Sequence, residues 1–492
     1  MATDFGNKIE KIIPLTYLNT AGTHCSVLIV IADGYLYIVN GTTISTLNAE
    51  LVLGDDTFQI DGEDLVFPSM LGSDVEQPIS ITENITIGGE ELVFTATDSG
   101  IHSMAQRLGK LYLAGDTLQV YDPVTGVIAD VDGAPEDETL VCVYRDRIIL
   151  GGQNHLFYAS RVSDPTDFDF GGDFNDVTRA VVGQLSEAGR IGESLTAIIP
   201  FRDQELVFAS ANELWVLHGD PATGTIRKIS GEIGVIAQDA WCITDAGLIA
   251  FLSSDGLYFW GVGSGYPIRF SEELVPMELR ELDPALYEIG MSWDAKARGI
   301  WLFATPLNGR AGKHWFMDMT QKAIWEMRFS MNSHQPKSVA RYNAGSGIND
   351  VVLGCRDGYL RTFSSTATTD DGTAMQSHVV FGAFRLSAET RDGILNEIHG
   401  IMADNAGSVT WRAFTGPTAE TVVDAASAAI TALLAGSAPS SVKASGSWEE
   451  LYNRVSRPRA RGAWCAILLS STERWAFESM TLVSTMLGRQ RQ

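Results

Sequence analysis

The 492-residue chain carries 61 Asp and Glu residues. That abundance makes paired carboxylates uninformative unless their spacing marks a pair out. The densest run is Asp167-Phe-Asp169-Phe-Gly-Gly-Asp173-Phe-Asn175-Asp176, four carboxylates and one amide within ten residues. Hard cations such as Ca²⁺ take oxygen-rich loops of this kind, so Asp167, Asp169, Asp173 and Asp176 are the candidate metal ligands, although the spacing is not that of an EF-hand. A second acidic loop holds Asp130, Asp132, Glu136, Asp137 and Glu138. Solvated turns are the default reading of both loops.

Enzymatic patterns do not hold up. Ser253-Ser254-Asp255-Gly256-Leu257-Tyr258-Phe259-Trp260 approaches a sialidase Asp box but lacks the residue between Asp and Gly and occurs once. Asp255-Gly256 reads better as a hairpin turn. Glycoside hydrolysis needs two carboxylates at a set separation, and Glu232, Asp239 and Asp245 are merely acids near strand ends. No GxSxG, SxxK or GxxxxGK[ST] is present, and the glycines of Gly261–Gly265 lack a following helix. The sequence therefore points away from an enzyme and implies no cofactor.

The five cysteines, Cys25, Cys142, Cys242, Cys355 and Cys465, are far apart and form no CxxC. Neither a zinc site nor a disulfide framework is indicated. The N-terminus lacks the pattern of a signal peptide, and the apolar stretch Val27–Ala32 is too short to span a membrane. A soluble protein of a reducing compartment is expected. The formal net charge is −26, which disfavours a general nucleic-acid-coating role. The charge is uneven. Residues 451–492 hold seven arginines and two glutamates, a net +5, which leaves −31 on the rest. A basic end on an acidic body suggests an interface, with Arg457, Arg459, Arg461, Arg489 and Arg491 as its candidate residues.

The elements that must position these residues are short strand pairs. Runs such as Lys110–Asp122, Asp146–Ser160, Gln204–Gly219, Gly247–Trp260 and Asp350–Phe363 share one grammar. An aliphatic run meets a Gly, Asn or Asp turn, and a run rich in aromatics follows. They recur at roughly 30–55 residues, the period of four-stranded propeller blades. An all-β fold follows: a degenerate β-propeller over 101–365, with an additional β-rich platform formed by an N-terminal part (1–100) and a C-terminal region (366–492). Helix is expected only over Ala419–Leu434 and for a turn or two within Glu272–Tyr287. Arg461–Leu469 and Trp475–Leu487 read as two final antiparallel strands. The aromatics Trp215, Tyr258, Trp260, Trp301, Trp315 and Trp325 read as blade core, with sugar platforms as the other reading.

One stretch is more specific. It runs through Tyr144–Gly172, Glu193–Ser230 and Gly234–Trp260, with a Ser-x-x-x-Asp-Pro-x-Asp-Phe turn at Ser160–Phe168, a Leu-Trp-x-Leu-x-Gly strand at Leu214–Gly219 and Asp-Gly-Leu-Tyr at Asp255–Tyr258. This resembles the central part of the tail nozzle proteins of short-tailed bacteriophages, also called tail tubular protein B or packaged-DNA stabilisation proteins. The ending Arg457-Pro458-Arg459-x-Arg461-Gly462 with Gly488-Arg489-x-Arg491 is similar to endings in such proteins. The resemblance implies a virion tail protein made in the host cytoplasm and assembled as a six-fold ring. Its partners would be the tail adaptor ring, tail fibre or needle proteins, and double-stranded DNA passing without sequence-specific binding. Set against it is a carbohydrate-binding or glycoside-processing propeller.

Overall fold

The computed structural model describes residues 5, 8–32, 35–40 and 43–50, four short strand pieces between 59 and 92, and then 102–489 apart from 187–191, 264, 271–276, 281, 344–348, 365, 388–390, 405 and 450–452. The chain divides into two compact units, Met1–Phe363 and Ser364–Gln492.

Seven antiparallel sheets of three or four strands succeed one another along the described part of the first unit, with two two-stranded hairpins between the first and second. Blade 1 consists of Ile9–Leu18, His24–Ala32, Tyr35–Asn40 and Thr43–Glu50. Blade 2 follows with Ser103–Arg107, Lys110–Ala114, Gln119–Asp122 and Val127–Asp130, and blade 3 with Leu140–Tyr144, Arg147–Gly151, Leu156–Ala159 and Val181–Gln184. Blade 4 is Ala197–Phe201, Glu205–Ala209, Leu214–His218 and Thr225–Ser230; blade 5 is Trp241–Ile243, Ile249–Ser253, Gly256–Trp260 and Ile268–Arg269. Blade 6 is Tyr287–Asp294, Gly299–Pro306, Lys313–Asp318 and Ala323–Met327. Blade 7 has three strands, Pro336–Tyr342, Asp350–Cys355 and Leu360–Thr362.

The sheets form a closed cycle because each face is apolar and must be covered by the next. Leu15, Ile29 and Ile31 of blade 1 pack with Leu111, Leu113 and Tyr121 of blade 2. Tyr112 and Ala114 meet Ile148 and Leu150 of blade 3, and Cys142 and Phe157 meet Leu206 and Phe208 of blade 4. Blades 4, 5 and 6 share one continuous core. Phe303 of blade 6 packs on Val351, Leu353 and Cys355 of blade 7. Ile9, Ile12, Leu28 and Val30 then return to Tyr342, Val352 and Leu360. The fold is an all-β propeller, and the first unit is the ring.

Closure uses packing, not a shared strand. Phe5 N donates to Gly358 O (2.9 Å) and Ile12 N to Ser338 Oγ (3.1 Å). A Cβ on Gly354 would come within 2.6 Å of Ile9 Cγ2, so the two ends of the ring meet without spare room. This arrangement revises the expected platform. Residues 9–50 are a blade of the ring and belong to the first unit, not to a platform shared with 366–492. The insertion between blades 1 and 2 hid the blade period from the sequence.

The second unit is a sandwich. One sheet orders Ser377–Arg385, Trp464–Ser471, Val409–Gly416 and Ala444–Trp448. The other is built on Arg391–Met402, paired with Asn453–Ser456 and Ala460–Gly462 on one side and with Phe477–Arg489 on the other. Leu395, Ile398, Trp411, Ile467 and Leu469 fill the space between them. The last two strands therefore do not pair with each other as expected; each lies in a different sheet. The helix is Ala419–Leu434, capped by Thr418 Oγ1, which accepts from Thr421 N at 3.1 Å. It buries Val422, Ala426 and Ala429, one stripe at helical spacing, against Phe414, Ala466 and Leu468 on the outer face of the first sheet. Among the described residues of Glu272–Tyr287 there is one short helix, Met277–Arg280.

Candidate functional site

The first strand of each blade faces the ring's axis, and together they line a cavity of about 600 Å³. Its wall is mixed: Ile13, Pro14, Met104, Val143, Ile198 and Ile243 stand beside Lys11, Gln106, Gln238, Asp239, Ser292 and Arg341. The polar groups span the lumen. Lys11 Nζ of blade 1 reaches Asp239 Oδ2, ahead of blade 5, at 2.6 Å. Gln238 Nε2 donates to His102 O at 2.6 Å. Arg341 Nη2 of blade 7 lies 3.7 Å from Asp245 Oδ1. Glu288 Oε1 of blade 6 also meets Lys337 Nζ of the adjacent blade 7 at 3.2 Å, a pair that is not part of the cavity wall. Burial pushes the Glu288 carboxyl above its ordinary range, opposed by Lys337, Arg356 and Lys11.

These pairs link the blade 5 segment to blades 1, 2 and 7 across the lumen. Asp239 and Asp245 each have a cation, and Glu232 is exposed on its loop. Asp255-Gly256 forms the hairpin turn between Ile249–Ser253 and Gly256–Trp260, with Gly256 at φ 143° and Asp255 Oδ2 accepting from Tyr258 OH at 2.8 Å. Of the six singled-out aromatics, Trp215, Tyr258, Trp260 and Trp315 are buried core, Trp301 is half-buried, and Trp325 is exposed. All five cysteines are free, four of them buried.

The acidic loop lies between the third and fourth strands of blade 3. Its carboxylates turn to local donors: Asp167 accepts from Asp169 N (2.9 Å), Asp169 from Gly171 N (2.8 Å), Asp173 from Asn175 N (2.9 Å) and Asp176 from Thr178 N (2.8 Å). Asp176 also takes Arg161 Nη2 at 2.6 Å, and Asp167 lies 3.8 Å from Arg161 Nη1. Hydrogen bonds from Thr178, then Arg161, hold Asp176 below the usual carboxylate range. Among the described residues these four do not converge as a ligand set.

The sequence did not single out the residue this loop surrounds. Arg147 is fully buried. Its Nη1 donates to Ser160 O (2.7 Å) and Arg179 O (2.6 Å), and its Nη2 to Val177 O (2.9 Å). Both Nε and Nη2 reach the carboxylate of Asp220 on blade 4. Only Arg offers so many donors in a fixed fork. An Arg beside a charged turn looks like any surface residue in sequence, so its burial carried no signal.

The basic end is partly engaged. Arg457 Nε contacts Glu397 Oε1 at 3.1 Å and Arg461 Nε contacts Asp392 Oδ2 at 3.0 Å, both on Arg391–Met402 of the same unit. Arg459 is exposed. For Arg489 the structure gives the backbone, paired opposite Arg391. Arg491 lies outside the described residues.

No family model and no curated protein matches this chain. Solved structures give distant likenesses. The computationally designed Ika8 protein is 15% identical, with 74% of this chain and 98% of that one covered at a TM-score of 0.38. The WD40 β-propeller domain of Doa1 is 10% identical over 74% and 95% at 0.40. The extracellular domain of a protein described as a one-component system, BT4673, from B. thetaiotaomicron is 12% identical over 79% of this chain and 43% of that one, at 0.44. No helix among the described residues is long and apolar enough to cross a membrane.

Proposed function

We propose that the protein is a structural subunit of a short phage tail: a nozzle that retains packaged DNA and conducts it during ejection. The observation that carries this reading is where the nozzle-like residues lie. They form blades 3 to 5 and the loop between the last two strands of blade 3. There Phe168 is buried, Asp164 and Asp167 close turns, and Ser160 and Asp220 hold Arg147. Motif residues spent on rigidity suit an assembly scaffold better than a catalyst.

The ring's own lumen is not the conduit in this reading. A duplex whose major groove alone is about 12 Å wide does not pass a cavity of about 600 Å³ spanned by Lys11 and Asp239. The DNA path would lie on the axis of a six-fold ring of copies. A body carrying −31 outside its last 42 residues would face the passing phosphates without the counterion release that makes DNA binding tight. The basic end would dock on neighbouring copies or the adaptor ring.

The test is electron microscopy of the purified protein, alone and mixed with tail adaptor complexes. Six-fold rings, or a cap on the tail end, support the nozzle. Monomers that ignore the tail under all conditions overturn it.

A further inference from the structure

The sandwich of the second unit is closed along one side and open along the other. On the closed side Trp448 is 2% exposed, and its Nε1 donates to Ser456 Oγ at 2.8 Å, which joins Ala444–Trp448 of one sheet to Asn453–Ser456 of the other. On the open side lie Ser377–Arg385 and Phe477–Arg489, each paired along one edge only among the described residues. Trp475 Nε1 donates to Ser377 Oγ at 2.7 Å, and the Phe381 and Phe477 rings stand edge-on with centroids 5.0 Å apart, so the two edge strands border one gap. The core-facing row of Phe477–Arg489 is Phe477, Met480, Leu482, Ser484 and Met486, opposite buried residues of Arg391–Met402. Phe477, Met480 and Leu482 are only partly buried there, and Met486 is 60% exposed.

Phe477–Arg489 is 13 residues long, and its outer edge offers a row of unpaired N–H and C=O groups. Such an edge is a template for another strand, and proteins blunt it with charges, prolines or bulges. Between Glu478 and Arg489 this strand has neither a charge nor a proline, and Ser479–Met486 runs without an inserted residue. An open edge beside half-covered apolar side chains calls for a β-strand as its cover. The strand's own sequence says which one. Antiparallel to itself and centred on Val483, it sets Val483 opposite Val483, Thr481 opposite Thr485, Leu482 opposite Ser484 and Met480 opposite Met486. Opposed β-branched and apolar side chains stabilise an antiparallel pair. The charges agree: the Glu478 end of one strand comes beside the Arg489 end of the other, twice, whereas a parallel pair would bring like charges together.

We propose that Phe477–Arg489 is the pairing strand for a second copy of this chain, which adds the same strand antiparallel about a two-fold axis at Val483. Residues opposite each other in such a pair share a face. The core-facing rows of the two copies therefore become continuous, and each Met486 is covered by the other copy's Met480. The outer face carries Val483, which is 40% exposed in the single chain, between the two threonine pairs. A contact of this kind closes at two copies. It is not the contact that repeats around a six-fold ring, and it stands or falls independently of the nozzle reading.

The experiment is sedimentation velocity of the full chain over a wide range of concentration. A dimer should grow in as concentration rises. Val483→Lys and Val483→Glu should each weaken it tenfold or more, because each sets two like charges opposite one another across the axis. Mixing the two variants should restore it, with lysine facing glutamate. Folding is checked by thermal melting. If either variant fails to fold, Thr481→Lys alone and Thr481→Lys combined with Thr485→Glu give the same reading, the first breaking the dimer and the second keeping it. A monomer at every concentration, a dimer that survives Val483→Lys, or a broken dimer that the mixture does not restore would overturn the proposal. Larger rings that dissolve with Val483→Lys would overturn it as well, by assigning this edge to the ring contact.

Discussion

Arg147 of blade 3 and Asp220 of blade 4 form a two-pronged ion pair, Nε to Oδ2 at 3.2 Å and Nη2 to Oδ1 at 3.0 Å, with the arginine fully buried. The same guanidinium collects the carbonyls of Ser160, Val177 and Arg179. Removing it strips partners from a carboxylate and four carbonyls at once, that of Thr178 included. Arg147→Met should cost about 3–5 kcal/mol, and Arg147→Lys nearly as much, since an ammonium cannot reproduce the fork. Asp220→Asn should cost less, because Asp220 is partly exposed. Urea denaturation of the three variants checks this ranking; an Arg147→Met loss below that of Asp220→Asn contradicts it.

The contact between Gly354 and Ile9 gives a test of ring closure. Gly354→Ala places a methyl 2.6 Å from Ile9 Cγ2 and 3.3 Å from Ile12 Cγ2. Overpacking of this kind costs about 1–3 kcal/mol. Ile9→Ala removes the obstructing atom, so the double variant should be more stable than the sum of the two single losses. Strict additivity in denaturation midpoints would show that the two blades do not press on each other there.

His314 makes stability depend on pH. Burial holds its pKa down to about 4 in the folded protein against 6.5 ordinarily. Above pH 6.5 both states are neutral and the site is indifferent to pH. Below it the unfolded chain takes up a proton that the folded site refuses, so stability falls until the pH nears 4. At about 1.4 kcal/mol per pH unit, the loss is on the order of 3 kcal/mol. His314→Phe should flatten the slope between pH 6 and 4.5 by one proton. Denaturation midpoints across that range, compared with the parent, measure it; parallel curves refute it.

Arg459 is the cleanest probe of the basic end, because Arg457 and Arg461 also hold Glu397 and Asp392. Arg459→Glu should leave the melting temperature within about 1–2 °C and reduce ring or adaptor assembly. Unchanged assembly by light scattering and electron microscopy would remove the basic end from the interface.

What the sequence revealed follows from what each strand must do. The hairpins at Lys110–Asp122, Asp146–Ser160, Gln204–Gly219, Gly247–Trp260 and Asp350–Phe363 cover the second and third strands of blades 2, 3, 4, 5 and 7. Those strands are buried between neighbouring blades and read as apolar runs with turn residues. The first strands face the lumen and mix polar with apolar, as in Ser103–Arg107. The outermost are largely exposed, as in Val127–Asp130 and Thr225–Ser230, and match no pattern. In blade 1 the insertion after Glu50 broke the spacing. The helix was legible to the residue, because its alanines, the acid at its start and Gly436 and Pro439 beyond its end agree. The sites were not. Arg147 owes its role to burial and to Asp220, 73 residues away, and Lys11 to Asp239, 228 residues away, which a linear reading does not display.

Closure by packing between Ile9 and Gly354 sets a timetable for the newborn chain. Blade 1 leaves the ribosome first, with one apolar face destined for blade 2 and the other for a blade whose residues come more than 300 positions later. At about 5–20 residues per second, that second face waits on the order of 20–70 s before its cover exists. During that interval Ile9, Ile12, Leu28 and Val30 are open to the same surfaces on other nascent chains. Faithful production of this propeller therefore depends on shielding one sheet during translation, and slowing the ribosome should lower the yield of folded protein more than shortening the chain after Phe363 would.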